Sequence, residues 1–359
     1  MRRLFLILLL AMLLAACSNA YPASSNDGGP IGSSTSQSQV VTGMFQEFAL
    51  PQTKSGLMRP VIDAQGRVWF GEMNRNYLGA YDPRSKSFWQ GTPPSGKAGV
   101  MGIIATPDDT IWFAEQYANY IGHFSPQSGQ YRIYALPMIV VPDPSKPGQT
   151  QSLPSAPNDL ALDQQHATLW FTELNANQLG SLNTRTGLIR EYPLTREPNA
   201  QAQHPYGITV DAHGMVWFSE ATSSRLGQLD PASGKVSYFT PPGVTAPLME
   251  LANDARGQIW ATTFANSQLL QFDPVSARFT IYSTPGSGSL YGLLSASNGD
   301  VWVAPSAGNL LVRLATRERR FYSYLIPTAN SVPLGLAEDR YHAIWFTESG
   351  SDKIGVLHL

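Results

Sequence analysis

Short apolar runs separated by polar turn residues recur along the chain at a regular spacing. Seven copies of one block run from GRVWFGEMNRNYLGAYDP to HAIWFTESGSDKIGVLHL, and each has a tryptophan at its fourth position. These are Trp69, Trp112, Trp170, Trp217, Trp260, Trp302 and Trp345, with separations of 43, 58, 47, 43, 42 and 43 residues. A period of roughly 40 to 50 residues without a helical pattern is typical of four-stranded blades. The pattern predicts an all-β, seven-bladed β-propeller.

One blade can be divided into four strands from its alternation of apolar runs and turns. We assign strand A to 207–210, strand B to 215–219, strand C to 225–229 and strand D to 235–239. The segment 230–234, Asp-Pro-Ala-Ser-Gly, has the residue types of a tight turn between strands C and D. No amphipathic helix separates the strands, which argues against a TIM barrel or a Rossmann fold.

The number of strands predicts how the ring closes. After Trp345 the chain is long enough only for strand C of the seventh blade. The segment 45–51 is similar to the outer strand around 189–194, so we expect it to supply the missing strand D. This pairing would hide both open edges of the sheet. We therefore predict one propeller domain over 44–359.

The first 16 residues have the composition of a secretory signal, with a basic start and an apolar run too short to span a bilayer. The triplet Leu14-Ala15-Ala16 before Cys17, the only cysteine, is similar to the bacterial lipobox, in which the cysteine is acylated. An ordinary signal peptide with an incidental cysteine is the alternative. We predict a signal peptide over 1–16 and a lipid anchor on Cys17, which would place the protein in the cell envelope, outside the cytoplasm.

The segment 17–43 is rich in Ser, Asn and Gly and is predicted to be a flexible tether. The formal net charge is −2 and no cluster of Lys or Arg stands out. Nucleic acid is therefore an unsuitable partner. We expect a monomer that contacts the membrane only through its lipid.

Two positions of the repeat are predicted to meet at one mouth of the central channel, because strands A and B are antiparallel neighbours. The residue before strand A is mostly apolar or aromatic, which suits a bulky uncharged small-molecule or peptide ligand. This ring consists of Met58, Met101, Asn158, Tyr206, Met249, Tyr291 and Leu334. Packing that plugs the channel is an equally good interpretation.

The residue three after each tryptophan is glutamate in five of the seven blades. These are Glu72, Glu115, Glu173, Glu220 and Glu348. Several carboxylates at one mouth would repel one another unless protonated, hydrogen-bonded or bridged by a cation. Glu220 and Glu173 are candidate ligands for Mg²⁺, or for Ca²⁺. The alternative is structural: each glutamate accepts backbone N–H bonds from its own B–C loop.

Of the six histidines, only His204 is predicted to lie near this mouth. It could act as a general base if a substrate proton came within about 3 Å. A solvated loop histidine is the alternative. No nucleophile elbow, zinc-protease motif, phosphate loop or dinucleotide fingerprint occurs in the sequence.

The repeat Trp-Phe-Thr/Ser-Glu, followed by Ile/Leu-Gly, Asp-Pro and a closing Tyr/Phe-x-x-Pro, resembles the streptogramin B lyase family over residues 44 to 359. The resemblance implies a seven-bladed propeller and Mg²⁺-dependent opening of cyclic depsipeptides by elimination. In that family the chemistry uses a histidine before strand A and a glutamate fourteen residues later. Here the matching blade has Tyr206 and Glu220.

Two functions remain open. The first is an exported, lipid-anchored propeller that binds a ligand or partner at the mouth and with the insert 138–157, without the family's chemistry. The second is a divergent Mg²⁺-dependent lyase, or a hydrolase, acting on a cyclic depsipeptide or related lactone. In the second, Glu220 would hold the cation and His204 or Tyr206 would move the proton.

Overall fold

The structure is a computed structural model that describes residues 38–97, 99–163, 165–194 and 203–359. The predicted signal peptide, Cys17 and most of the predicted tether lie outside the described residues. Within the described ranges, no helix has the length and apolar character needed to cross a membrane.

The described residues form strands that are grouped into seven blades, as the repeat predicts, each built on four antiparallel strands. Two strands precede the first blade, β1 (Ser38–Val41) and β2 (Met44–Ala49). Blade 1 contains β3 (Leu57–Ile62), β4 (Val68–Glu72), β5 (Tyr77–Asp82) and β6 (Ser87–Gly91), and blade 2 contains β7 (Val100–Ala105), β8 (Ile111–Glu115), β9 (Tyr120–Ser125) and β10 (Gln130–Ala135). The insert that follows is a hairpin of β11 (Ile139–Pro142) and β12 (Thr150–Leu153).

The remaining blades follow the same order from the axis outwards. Blade 3 contains β13 (Pro157–Asp163), β14 (Thr168–Glu173), β15 (Gln178–Asn183) and β16 (Ile189–Pro193), and blade 4 contains β17 (Pro205–Val210), β18 (Val216–Glu220), β19 (Leu226–Leu229) and β20 (Val236–Phe239). Blade 5 contains β21 (Leu248–Asn253), β22 (Ile259–Thr263), β23 (Gln268–Asp273) and β24 (Arg278–Ser283), and blade 6 contains β25 (Ser287–Ser295), β26 (Val301–Ala307), β27 (Leu310–Ala315) and β28 (Arg320–Leu325). Blade 7 contains β29 (Pro333–Glu338), β30 (Ile344–Glu348) and β31 (Lys353–His358).

The N-terminal strand closes the ring as predicted. Strand β2 pairs antiparallel with β31, from Met44 opposite His358 to Ala49 opposite Lys353, and is the outermost strand of blade 7. Glu47 contributes to the closure because the Lys353 ammonium lies 3.3 Å from its carboxylate. The first and last parts of the described chain are thereby held in one sheet.

Strand β1 differs from the expectation that the segment 17–43 carries no structure. Residues Ser38–Val41 pair in parallel with β28, so blade 6 has five strands. The outer edge of β28 offers free backbone hydrogen-bonding groups, and Val40 and Val41 have the β-branched side chains that suit a strand.

The core lies between neighbouring blades and is built from the repeated tryptophan and phenylalanine of strand B. In blade 4, an added Cβ at Gly227 would lie 2.1 Å from Cζ of Phe218, which explains the glycine of the Ile/Leu-Gly motif. In four blades the indole Nε1 donates to an aspartate at the A–B turn. These pairs are Trp69 and Asp63, Trp217 and Asp211, Trp260 and Asp254, and Trp345 and Asp339.

Strand direction defines two faces of the propeller. Strand A starts, and strand B ends, at what we call the mouth face, which also carries the B–C loops and the hairpin β11–β12. The A–B and C–D turns lie at the opposite side, the turn face. The mouth face is where the repeat gathers the predicted site residues.

Candidate functional site

The predicted mouth ring is a packed plug. Its apolar and aromatic members join Ala156 and Leu174 in one buried cluster, here called the cap, and none of its residues is more than 8% exposed. The cap consists of Met58, Met101, Ala156, Leu174, Tyr206, Met249, Tyr291 and Leu334. Asn158, the polar ring member, is 2% exposed; it accepts a hydrogen bond from Gln116 at 3.0 Å and donates to the Tyr206 carbonyl at 3.2 Å. The position of the ring is therefore as predicted, and its side chains fill the mouth.

Tyr206 and Tyr291 form the polar part of the cap. Their hydroxyl groups are hydrogen-bonded to each other, and their rings pack edge to face with centroids 6.4 Å apart. Burial raises the pKa of Tyr206 well above its usual value, and burial together with the nearby Glu250 carboxylate raises that of Tyr291 to about 12. The space left beside this pair is a cavity of about 10 Å³, enough for about one water molecule.

Below the cap, strand A leaves the regular register with strand B in every blade. In blade 4 the pairing passes directly from Pro205 opposite Glu220 to Ile208 opposite Phe218. Such irregularities change the direction in which side chains point and are common next to active sites. The residues after the ring position are Arg59, Gly102, Asp159, Gly207, Glu250, Gly292 and Gly335.

The three charged residues of this second ring meet inside the channel. The Arg59 guanidinium of blade 1 is ion-paired both with Asp159 of blade 3 and with Glu250 of blade 5. The carboxylate side chains are 3% and 5% exposed, whereas that of Arg59 is 24% exposed. We call this set the channel ion cluster. It links three non-adjacent blades across the axis.

The two carboxylates of the channel ion cluster differ in the number of hydrogen bonds that they accept. Asp159 accepts hydrogen bonds from the backbone N–H groups of Leu160 and Ile208, at 2.8 and 2.9 Å, while Oε1 of Glu250 has no donor within the described residues. Burial raises the pKa of Glu250, with Asp159 adding to the effect and Arg59 opposing it. Glu250 is therefore the member poised to take up a proton.

The glycines of the second ring allow the inner strands to approach closely. An added Cβ at Gly207 would lie 2.3 Å from the Met249 carbonyl oxygen, and one at Gly335 would lie 2.6 Å from Cα of Arg59. Each charged residue thus follows a blade that has glycine at this position.

The sequence reasoning missed the channel ion cluster. It compared positions that the seven copies share, and Arg59, Asp159 and Glu250 differ from their repeat partners. The available signal was a charged residue in three copies at a position where the other four have glycine. Long charged side chains on an innermost strand must find partners inside the channel, because burying a lone charge is costly.

The His204 side chain is hydrogen-bonded to the backbone of blade 3. Its Nδ1 is 2.7 Å from the Leu174 carbonyl oxygen, so this nitrogen carries the proton and donates it to the backbone. The backbone carbonyl of His204 in turn accepts from Ala221 at 2.9 Å. The contacts described for His204 are those of a loop residue that fastens the mouth face of blade 4.

Glu220 lies at the mouth end of its strand, as predicted, and is held by its own blade. Arg225 donates from Nε to Oε2 at 2.9 Å and from Nη2 to Oε1 at 3.2 Å, and Ser223 donates to Oε2. The Arg225 guanidinium also lies over the Tyr238 ring, 4.4 Å from its centroid. Both carboxylate oxygens of Glu220 are therefore engaged within its own blade, by side chains and not by the backbone N–H groups of the structural interpretation.

The other glutamates of the ring are equally buried. Burial raises the pKa of Glu173 to about 7, an effect that the nearby Ser155 and Gln178 only partly offset, and burial also raises that of Glu348 to about 7. Partial protonation of these two side chains thus relieves some of the charge at neutral pH.

Mg²⁺ was expected from Glu220 and Glu173. Among the described residues, no three His, Cys, Asp or Glu side chains lie close enough together to hold a metal ion. With Glu220 already paired to Arg225 and the pKa of Glu173 raised, these side chains do not fit a cation site built from several carboxylates.

Comparison with solved structures places this fold among streptogramin lyases. A streptogramin B lyase structure is 24% identical, covers 88% of this chain and 98% of its own, and has a TM-score of 0.77. Virginiamycin B lyase from Staphylococcus aureus is also 24% identical, with 88% and 99% coverage and a TM-score of 0.76. A catalytically inactive histidine-to-alanine variant of that enzyme was solved with quinupristin.

A second group of similar structures comes from Bacteroides. The extracellular domain described as that of a hybrid two-component system of B. thetaiotaomicron is 17% identical, with a TM-score of 0.67, and covers 88% of this chain and 40% of its own. A search of curated proteins found no match. The sequence model of the virginiamycin B lyase family matches residues 24–314, which is most of the chain. The chain therefore belongs to the virginiamycin B lyase family.

Proposed function

We propose that this protein is an exported, lipid-anchored propeller that binds a small-molecule or peptide ligand at its mouth face without opening it. The observation that carries the proposal is the tyrosine pair. Tyr206 occupies the position at which the family resemblance implies a histidine, and its hydroxyl group is hydrogen-bonded to Tyr291 within the buried cap.

The chemistry of this position supports binding rather than elimination. A general base needs a pKa near the working pH and access to the substrate proton. The pKa of Tyr206 is raised by burial, and the cavity beside it holds about 10 Å³, far less than a cyclic depsipeptide requires. Glu220, the other residue implied by the resemblance, is neutralised by Arg225.

A ligand on this face would rest on the cap instead of entering the channel. Met73, Ala221, Phe264 and Val332 surround the cap and are only partly buried. The hairpin β11–β12 adds Met138 and Val140, which are 49% and 66% exposed. Asn119 anchors the base of this hairpin by donating to the Leu136 and Pro137 carbonyl groups at 3.0 and 3.2 Å. These side chains suit a ligand with apolar groups.

The N-terminal residues support export and anchoring, and similar structures support export alone. Relatives of this fold occur as extracellular domains, and Cys17 follows a lipobox-like triplet. We expect Cys17→Ser to release the protein from membranes into the soluble extracytoplasmic fraction. Retention in the membrane fraction after this substitution would contradict the anchor.

The lyase reaction provides the direct test. The purified protein is incubated with quinupristin and Mg²⁺, with and without EDTA, and virginiamycin B lyase from S. aureus is the positive control. We expect mass spectrometry to show linearised product only with the control enzyme. Product that forms with this protein and disappears with EDTA would overturn the proposal in favour of a divergent lyase.

A further inference from the structure

An open groove of about 750 Å³ lies between blades 2 and 3 at the turn face, on the opposite side from the cap. This volume is in the range of small-molecule sites. The groove is bounded by turns of both blades, from Thr106–Thr110 and Ser125–Ser128 on one side to Ala167 and Thr184–Arg185 on the other. We call it the interblade groove. Nothing in the proposed function uses it.

Leu182 of blade 3 packs opposite Trp112 at this interface. At three other interfaces, an aromatic residue of the next blade's strand C packs against the tryptophan, with centroids 5.6 to 6.0 Å apart. The pairs are Trp345 with Tyr81, Trp69 with Phe124, and Trp217 with Phe272. The remaining three interfaces have leucine, as here: Leu229, Leu314 and Leu357. The blade 2–3 interface is therefore one of the four that have an aliphatic residue, and not an aromatic ring, beside the indole.

Blade 2 also lacks the aspartate that receives the indole N–H in four other blades. Thr106 occupies that turn position, and its hydroxyl is bonded to its own turn, 2.7 Å from the Thr110 hydroxyl and 2.9 Å from the Thr110 carbonyl oxygen. Trp112 instead lines the groove. The turn is thus built differently where the groove opens.

The floor of the groove is aromatic. The Tyr134 ring stacks on Trp112 with centroids 5.6 Å apart and an interplanar angle of 24°, and the His123 ring lies 4.4 Å from Trp112 on the groove side. Tyr134 and His123 are partly exposed, while Trp112 is 4% exposed and supports them. Such a floor offers flat apolar surface with polar edges.

The walls are polar and carry a net positive charge. Ser and Thr hydroxyls and the Gln130 amide line the rim, with Arg132 and Arg185 as cations and Asp108 as the anion. No carboxylate of the described residues forms a salt bridge with either guanidinium. Burial lowers the pKa of His123, so its ring is neutral at neutral pH despite the nearby Asp108. The two arginines therefore outnumber the single carboxylate.

We propose that the interblade groove binds an acidic saccharide. The aromatic floor suits the apolar C–H face of a sugar ring, the hydroxyl-rich walls suit its hydroxyl groups, and the arginine pair suits a carboxylate such as that of a uronic acid. Inorganic phosphate would use the arginines alone, and a neutral saccharide would use the floor alone. A nucleotide would use the arginines for its phosphates and the floor for its base, so ATP is the competing ligand in the test. The combination of both features selects a sugar that carries a negative charge.

The test uses the full chain, purified in detergent, on a glycan array that contains uronic and sialic acid saccharides and their neutral counterparts. The best acidic glycan is then titrated by calorimetry. The disrupting variant is Arg132→Ala/Arg185→Ala. The matched control is Arg190→Ala/Arg317→Ala, which removes the same charge from the equivalent strand D position of blade 3 and the equivalent C–D turn of blade 6.

We expect the wild type and the control to bind the acidic glycan equally, the disrupting variant to bind at least tenfold more weakly, and the neutral counterpart to bind more weakly than the acidic one. Tyr134→Ala should weaken binding as well, which attraction to a bare anion would not explain. Three outcomes would overturn the proposal. They are an equal loss of affinity in both double variants, tighter binding of ATP or inorganic phosphate than of any glycan, and no acidic glycan that binds more tightly than its neutral counterpart. These outcomes are independent of the mouth face and of lyase activity.

Discussion

The two ends of this propeller are built in opposite ways. At the mouth face, seven equivalent positions converge and fill the channel, so that a cap and an ion cluster leave a cavity of only about 10 Å³. At the turn face, a local departure from the repeat between blades 2 and 3 leaves a groove of about 750 Å³. Convergent repeat positions can therefore serve stability, while a break in the repeat creates space for a ligand.

The strongest way to break this comparison is to remove the cation of the channel ion cluster. Arg59→Met would leave Asp159 and Glu250 buried without their counter-charge. We expect it to lower the free energy of unfolding by about 3 to 5 kcal/mol near pH 7.5. Chemical denaturation followed by tryptophan fluorescence measures this change.

A companion variant separates charge from packing. Adding Glu250→Gln to Arg59→Met removes one of the two stranded carboxylates, so part of the lost stability should return. The loss should also shrink at pH 5, where a carboxylate of raised pKa can take up a proton. A destabilisation independent of pH, with no recovery in the double variant, would show that the cluster acts by packing alone.

The buried glutamates of the ring predict how stability depends on pH. The pKa of Glu173 is about 7 in the folded protein against 4.5 for an ordinary glutamate, so the folded state holds its proton more tightly than the unfolded state. The contribution of this group is complete below pH 4.5 and is lost as the pH rises through 7. Relative to the wild type, Glu173→Gln should gain about 3 kcal/mol from pH 4.5 to pH 8.

Melting curves of the two proteins across this pH range measure the effect. Glu348→Gln should behave similarly, because burial raises the pKa of Glu348 to the same value. Glu220→Gln is the contrasting variant, since Arg225 neutralises that carboxylate and its loss would leave the guanidinium without its partner. Parallel curves for the wild type and Glu173→Gln would show that Glu173 stays ionised.

The sequence predicted the blades and the closure of the ring, but not the packing inside the channel, for a physical reason. The period of the tryptophans predicted the blades, and the missing strand after Trp345 predicted the pairing of β2 with β31, because both follow from local patterns and strand counting. The ring positions at the mouth followed from strand direction. Whether Tyr206 and Tyr291 would face a ligand or each other depends on packing across the channel, which no local pattern specifies.

The residues missed were those in which one copy departs from the others. Strand β1 adds to blade 6 because a free edge is available there, which is a property of the assembled sheet. Arg59 contacts Asp159 a hundred residues away, and Thr106 stands at the groove where four other blades have the aspartate that binds the indole N–H. Comparing the copies for differences, as well as for shared residues, would have pointed to both regions.

The tyrosine pair allows a smaller test of the closed end. Tyr206→Phe leaves the Tyr291 hydroxyl buried without its partner, which should cost about 1 to 3 kcal/mol. The double variant Tyr206→Phe/Tyr291→Phe removes both hydroxyls and should be nearly as stable as the wild type. Denaturant unfolding of the three proteins gives the coupling energy. A coupling near zero would mean that the hydroxyl pair contributes nothing to closing the mouth.

The smallest effect is expected at the open end. Arg132 and Arg185 lie on the surface and form no salt bridge among the described residues, so Arg132→Ala/Arg185→Ala should change the free energy of unfolding by less than about 0.5 kcal/mol. The same measurement on Arg190→Ala/Arg317→Ala should give the same result. A loss of about 2 kcal/mol or more in the groove variant alone would mean that these arginines hold blades 2 and 3 together. The contrast between a channel closed for stability and a groove open to a ligand would then fail, because charged side chains would stabilise both regions.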